Sequence, residues 1–125
     1  MEPTLDPNKI VEEYFRIWKA YDLVGVMRLF DAKARYEIIP KQRTLDGHAE
    51  ICEYWRRNAQ RQKGVELSWD ILSITRSYAK VHFVAKFYDK EENEHQKVIG
   101  TIEFHLNKRK TITLLSETYQ KLVIA

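Results

Sequence analysis

Near Gly64 the hydrophobic period of the sequence changes from that of helices to that of strands. Before it, Asp6 is placed to cap and Pro7 to occupy a first turn. Ile10, Val11, Tyr14, Phe15, Trp18 and Tyr21 then recur at helical spacing, which predicts a helix over Pro7 to Tyr21. Asp22 can cap a second, short helix carrying Leu23, Val26, Met27 and Phe30 and ending near Asp31, so that the two form a hairpin. "ARYEIIP" (34–40) reads as a strand closed by Pro40. The polar "KQRTLDG" then leads through Asp46-Gly47 into a third helix with Ile51, Tyr54 and Trp55. After Gly64 come "VELSWDILSI" (65–74), "AKVHFVAKFYD" (79–89), "QKVIGTIEFHLN" (96–107) and "TITLLSETYQKLV" (111–123), joined by hairpin-like junctions. Three helices followed by consecutive strands, with one early strand between the second and third, predict an α+β domain in which a curved, mostly antiparallel sheet wraps the helices. No linker, low-complexity tract or repeat interrupts it, so residues 1–125 are expected to form one domain.

Composition narrows the function classes. An apolar fraction of 44% and a charged fraction of 31% are those of a water-soluble globular chain, and no segment approaches the ~18 apolar residues of a membrane span. The N-terminal "MEPTLDPNKI" has no basic region or apolar run of a signal, so a cytoplasmic protein is expected. The single cysteine, Cys52, excludes an intramolecular disulfide framework. The net charge of +3 is too small to imply a polyanionic partner, and the basic runs "RRNAQRQK" (56–63) and "NKRK" (107–110) have no aromatic-rich binding motif beside them. Nucleic acid is therefore not an expected partner. GxGxxG, P-loop, HExxH, CxxC and GxSxG patterns are missing, and His48, His82, His95 and His105 share no ligand spacing; neither a metal nor a cofactor is expected.

The stretch "KVIGTIEFHLN" (97–107) poses the functional question. Val98, Ile102, Phe104 and Leu106 fall on one parity, and Thr101, Glu103 and His105 on the other. If the second parity faced a cavity, Glu103 and His105 would be an acid and a proton carrier inside it.

The order α-α-β-α-β-β-β-β, together with "YFRIWKAYDLVGVMRLFDAKARYEIIP" and "LDGHAEICEYW", resembles the NTF2-like (cystatin-like) superfamily, especially its SnoaL-like and ketosteroid-isomerase-like branches. The resemblance implies a cone-shaped half barrel whose mouth holds a small hydrophobic molecule. Laid on the steroid-isomerase pattern, Tyr14 falls on the oxyanion-hole tyrosine, Trp55 on a supporting pocket tyrosine, and Glu103 on the protonated acid completing the hole. The aspartate base of that pattern falls on Ile38 or Ile39, which cannot take a proton, and strand alternation sends the adjacent Glu37 to the opposite face. Standard steroid isomerisation is therefore not expected. What the resemblance implies is cofactor-independent acid/base chemistry on a carbonyl compound, as isomerase, cyclase or dehydratase. Tyr14, Glu103 and His105 would be the catalytic groups, and Trp18, Ile38, Trp55, Phe83, Phe87 and Thr101 the pocket. The alternative is a non-catalytic ligand-binding or dimerisation module on the same cone. A homodimer is expected because both faces of the late strands would carry apolar residues.

Overall fold

A computed structural model of the chain describes residues 6–124. Helix α1 (Pro7–Ala20) begins where Asp6 accepts a hydrogen bond from the Lys9 N–H, and it ends at Tyr21 in the left-handed conformation. Helix α2 (Leu23–Leu29) is capped by Asp22 through the Gly25 N–H. Strand β1 (Phe30–Ile38) follows with no connecting loop, four residues earlier than the apolar pattern predicts. Ile39 and Pro40, expected to end the first strand, form a single 3₁₀ turn (Ile39–Lys41), the short strand β2 (Arg43–Asp46) lies in the stretch expected to be a turn, and Gly47 opens α3 (Gly47–Arg61). The remaining strands are β3 (Gln62–Ile74), β4 (Tyr78–Asp89), β5 (Glu94–Leu106) and β6 (Ile112–Ile124).

One six-stranded sheet has the order β2-β1-β6-β5-β4-β3. Every pairing is antiparallel except that of β1 with β6, which is parallel and aligns Tyr36 with Leu115 and Ile38 with Glu117. The sheet is open and curves around the helices, α1 lying against β3 and β4 and α3 against β1. The core fills the concave side: Tyr14, Phe15 and Trp18 of α1, Ile51 and Trp55 of α3, and Phe83, Ile102, Phe104 and Leu115 from the strands, all buried. Among the described residues no helix is long and apolar enough to cross a membrane.

The concave face of β5 is the parity of Val98, Ile102, Phe104 and Leu106, all buried under the chain's own helices. The expectation of a homodimer rests on apolar residues on both faces of the late strands, and these four stand on the face that the chain's own helices cover. The opposite parity, with Thr101, Glu103 and His105, faces away from the helices and is half-buried.

Gly100 stands on the concave parity of β5, where β6 crosses so closely that a Cβ would lie 2.0 Å from the Thr118 carbonyl oxygen and 2.6 Å from the Tyr119 Cα. Its missing side chain lets β6 fold inward over the cavity described below. Gly64, at the irregular start of the β3–β4 ladder, has a φ of +66° and nothing within 4 Å of a built Cβ. Gly100→Ala is therefore expected to cost about 3 kcal/mol or more through overpacking against backbone. Gly64→Ala is expected to cost only about 1–2 kcal/mol, through its left-handed backbone alone. Urea unfolding of both variants checks the order; equal costs would show that the strands can part at Gly100.

Candidate active site

A cavity of about 240 Å³ opens between α3, the 3₁₀ turn and the concave faces of β4, β5 and β6. Its apolar wall is Trp18, Trp55, Phe87 and Val98, with Tyr36, Tyr54 and Tyr119 adding aromatic surface. Of the pocket residues implied by the family resemblance, Trp18, Trp55 and Phe87 line this cavity. The other three expected pocket residues do not line it. Ile38 is sealed in the core beside Glu117, Phe83 lies under Trp18 and Phe15, and Thr101 is on the convex face opposite Thr118.

The polar centre of the cavity is Glu117, on β6 and only 4% exposed. Its Oε2 accepts a hydrogen bond of 2.6 Å from the Tyr36 hydroxyl, which lies 3.0 Å from the Tyr14 hydroxyl. Each hydroxyl has one proton. With Tyr36 donating to the carboxylate, Tyr14 must donate to Tyr36, so the chain runs Tyr14 to Tyr36 to Glu117. Oε1 has no protein partner among the described residues and stands on the side chain that lines the cavity.

Burial disfavours the ionised form of Glu117 and lifts its pKa to about 7; the Tyr36 hydrogen bond and the Lys41 charge hold the rise in check. The hydroxyls of Tyr36 and Tyr14 are pushed well above the usual tyrosine range, first by burial and then by the charge of Glu117. Both remain neutral hydrogen-bond donors wherever the protein is folded near neutrality. Tyr14 does not reach the cavity: the edges and faces of Phe15, Trp18, Trp55 and Phe104 surround it at centroid distances of 5.2 to 6.3 Å. It orients Tyr36 and does not touch a ligand.

Glu103 and His105 are not part of this site. The concave face at that point of β5 is occupied by Phe104, packed on Tyr14, so strand alternation turns both neighbours outward. Glu103 accepts a 2.5 Å hydrogen bond from Tyr78, whose pKa that bond raises to about 12, and His105 meets the Tyr78 ring edge-on. Glu37 also points outward and accepts from Ser116. The carboxylate missing at position 38 instead stands on the neighbouring strand, because Glu117 is the register partner of Ile38.

Gln62, Trp55 and Asp89 line the same cavity. Gln62 Oε1 accepts from Trp18 Nε1 at 3.0 Å and from the Tyr21 hydroxyl at 2.6 Å, which fixes the amide orientation and leaves its NH₂ group free of protein partners among the described residues. The indole N–H of Trp55 is sealed without a hydrogen-bond partner, with Tyr14, Trp18 and Tyr54 packed around its ring in T-shaped contacts. At the rim Asp89 is 1% exposed. Burial works against its carboxylate, but the Glu91 and Glu92 N–H groups and the Arg61 guanidinium, at 2.7 Å, outweigh it and hold its pKa low.

No family model matches the chain, and no curated protein matches its sequence. Solved structures do match over nearly its whole length. The Δ5-3-ketosteroid isomerase of Mycobacterium sp. superposes with a TM-score of 0.81 at 14% identity, covering 96% of this chain and all of the other. A SnoaL-like protein of Shewanella denitrificans gives 0.81 at 6% identity over 90% of this chain and 89% of its own. The epoxide hydrolase/cyclase-like enzyme SalBIII of pyran-ring formation in salinomycin gives 0.81 at 20% identity over 94% and 95%. The chain has the NTF2-like fold. Within that fold its three helices and open, mostly antiparallel sheet follow the sequence reading, while the buried carboxyl on the concave face lies on the last strand and not on β5 or at position 38.

Glu117→Gln isolates the cost of the buried carboxyl. A folded-state pKa of about 7 lies above the unfolded value near 4.5, so the neutral form's contribution is full below about pH 4.5 and is lost as pH rises through 7. The loss amounts to about 3 kcal/mol. The wild type is expected to weaken relative to Glu117→Gln between pH 5 and pH 8 by that amount, as read from thermal or urea unfolding at the two pH values. A parallel pair of pH profiles would show that Glu117 ionises at an ordinary carboxylate pKa.

Proposed function

We propose that the cavity binds a small, largely apolar carbonyl compound and that Glu117 moves a proton on it, in an isomerisation, cyclisation or dehydration. The observation that carries this reading is the state of Glu117: a buried carboxyl with a pKa raised to about 7, one oxygen held by Tyr36 and the other without a protein partner among the described residues, in a cavity walled on one side by aromatic side chains. A general acid/base works best with a pKa near the operating pH, and such a group contributes ~10² to 10⁴ in rate. The volume of about 240 Å³ lies at the small end for ligand sites and suits a compact molecule. Solved structures of the same fold that include a ketosteroid isomerase and an epoxide hydrolase/cyclase-like enzyme support this use of the cone.

In this scheme Glu117 Oε1 takes a proton from the carbon next to the ligand carbonyl, while Tyr36 keeps Oε2 in place. The amide NH₂ of Gln62, without a protein partner among the described residues, is one of the donors on the cavity wall that can serve the carbonyl oxygen as its negative charge develops. Glu117 then returns the proton elsewhere on the substrate or to a leaving hydroxyl. Tyr14 acts through Tyr36 as a positioning residue.

The test uses an aryl ketone in D₂O, with loss of the α-proton resonance followed by NMR. Wild type is expected to exchange these protons faster than buffer, with a rate rising through about pH 7 as Glu117 ionises. Glu117→Gln should reduce the rate at least 10²-fold. Tyr36→Phe removes the hydrogen bond that favours the carboxylate, so its profile should move to higher pH. Binding of the ketone without exchange in any of the three proteins would reduce the site to a ligand carrier.

A further inference from the structure

The cavity is graded in charge along its length. Glu117, Tyr119 and Lys121 follow one another on the concave parity of β6, and all three line the cavity. At about 3.3 Å per residue, Lys121 stands roughly 13 Å from Glu117 along the strand. Lys41, in the 3₁₀ turn that packs beside β6, also lines the cavity, as does Arg61 at the end of α3. Glu117 is sealed while Lys41 and Lys121 are exposed, so the acid is the floor and the cations are the rim.

These cations are not equivalent. Arg61 is committed to the chain, bonded to Asp89 at 2.7 Å and close to Glu91 and Glu92. Lys41 and Lys121 are in no ion pair among the described residues. Desolvation lowers the pKa of Lys41, and the charges of Arg61, Lys121 and Arg43 lower it further, against the opposing pull of Glu117. Like charges gathered at one rim repel one another, and an anion placed among them relieves the repulsion.

We infer that the ligand is an amphiphilic acid: a compact apolar body holding the carbonyl against Glu117 and Trp55, and a carboxylate that reaches the rim and pairs with Lys41 and Lys121. The carboxylate and the carbonyl then sit at opposite ends of the cavity, which fixes which carbon faces Glu117. Neutral sterol-like compounds fill the wall without answering the rim. This inference rests on the cavity being a ligand site, as proposed above, but not on Glu117 moving a proton.

The probes are 6-oxo-6-phenylhexanoate and its methyl ester, which share the aryl ketone and differ only in the charge at the far end. Trp18 and Trp55 line the cavity, so quenching of tryptophan fluorescence reads binding. The acid is expected to bind at least 10-fold more tightly than the ester in 20 mM salt, and 0.5 M NaCl should weaken the acid alone. Lys41→Gln with Lys121→Gln should bring the acid to the ester's Kd and leave the ester within 2-fold. Glu117→Gln should preserve the preference for the acid. Equal binding of acid and ester by the wild type overturns the inference, as does equal weakening of both by the double lysine change, or no binding of either. Because α-proton exchange is measured on the same ketone, a preference for the acid without exchange would sink the proton-transfer reading and leave this one standing, and exchange with equal binding would do the reverse.

Discussion

The parallel pairing of β1 with β6 is the contact on which the site depends. It joins the first strand to the last and brings Tyr36 within 2.6 Å of Glu117, residues separated by 81 positions in the chain. Parallel neighbours in register point to the same side, so Tyr36, Ile38, Leu115 and Glu117 all face the helices. The helices then have to supply groups that match. Tyr14 of α1 meets the polar end of this patch, and Ile51 and Trp55 of α3 cover its apolar remainder. Close packing of β6 over Gly100 completes the concave wall and brings Tyr119 and Lys121 into line with Glu117.

The elements were legible because each has a local cause. Asp6-Pro7, Asp22 and Asp46-Gly47 mark three helix starts, and the alternation in 79–89 and 96–107 marks two strands, all within a few residues of the observed boundaries. Strand β2 was not legible. Its side chains are mostly exposed, and it exists because Arg43–Asp46 pairs along the edge of β1, a contact that periodicity does not encode. The same holds for the first residues of β1, where Phe30 was read as the last apolar residue of a helix and pairs instead with Ile112.

Glu103, expected to face the cavity, points outward for a different reason. The alternation of Val98, Ile102, Phe104 and Leu106 already fixes which parity of β5 is apolar, and alternation alone sends Glu103 outward. The resemblance to a family pattern favoured the opposite direction, and the stronger physical constraint prevailed. Glu117 gave a weaker signal. "TITLLSETYQKLV" carries apolar residues on both parities, and a register shift between β5 and β6 near Leu106 changes which of them face the core. What marks Glu117 is its place between Leu115 and Tyr119, an acid on a parity of large apolar groups.

Two acids of this chain expose almost no surface, Asp89 at the rim and Glu117 at the floor of the cavity, and their pKa values shift in opposite directions. Asp89 accepts two backbone N–H groups and a guanidinium, and its pKa falls; it ties the end of α3 to the β4–β5 turn, where the Lys90 N–H also bonds the Arg61 carbonyl. Glu117 has one hydroxyl donor, and its pKa rises to about 7. A carboxylate retained only for stability would be expected to carry the first kind of shell, since a sealed charge without donors weakens the fold. Its register partner is Ile38, and an apolar residue would fill the place beside it without that cost. The Tyr36 and Tyr14 hydroxyls are arranged to hold the carboxyl in one orientation without neutralising the effect of burial. The result is a carboxyl with one oxygen held by Tyr36 and the other without a protein partner among the described residues, its pKa raised by burial to about 7.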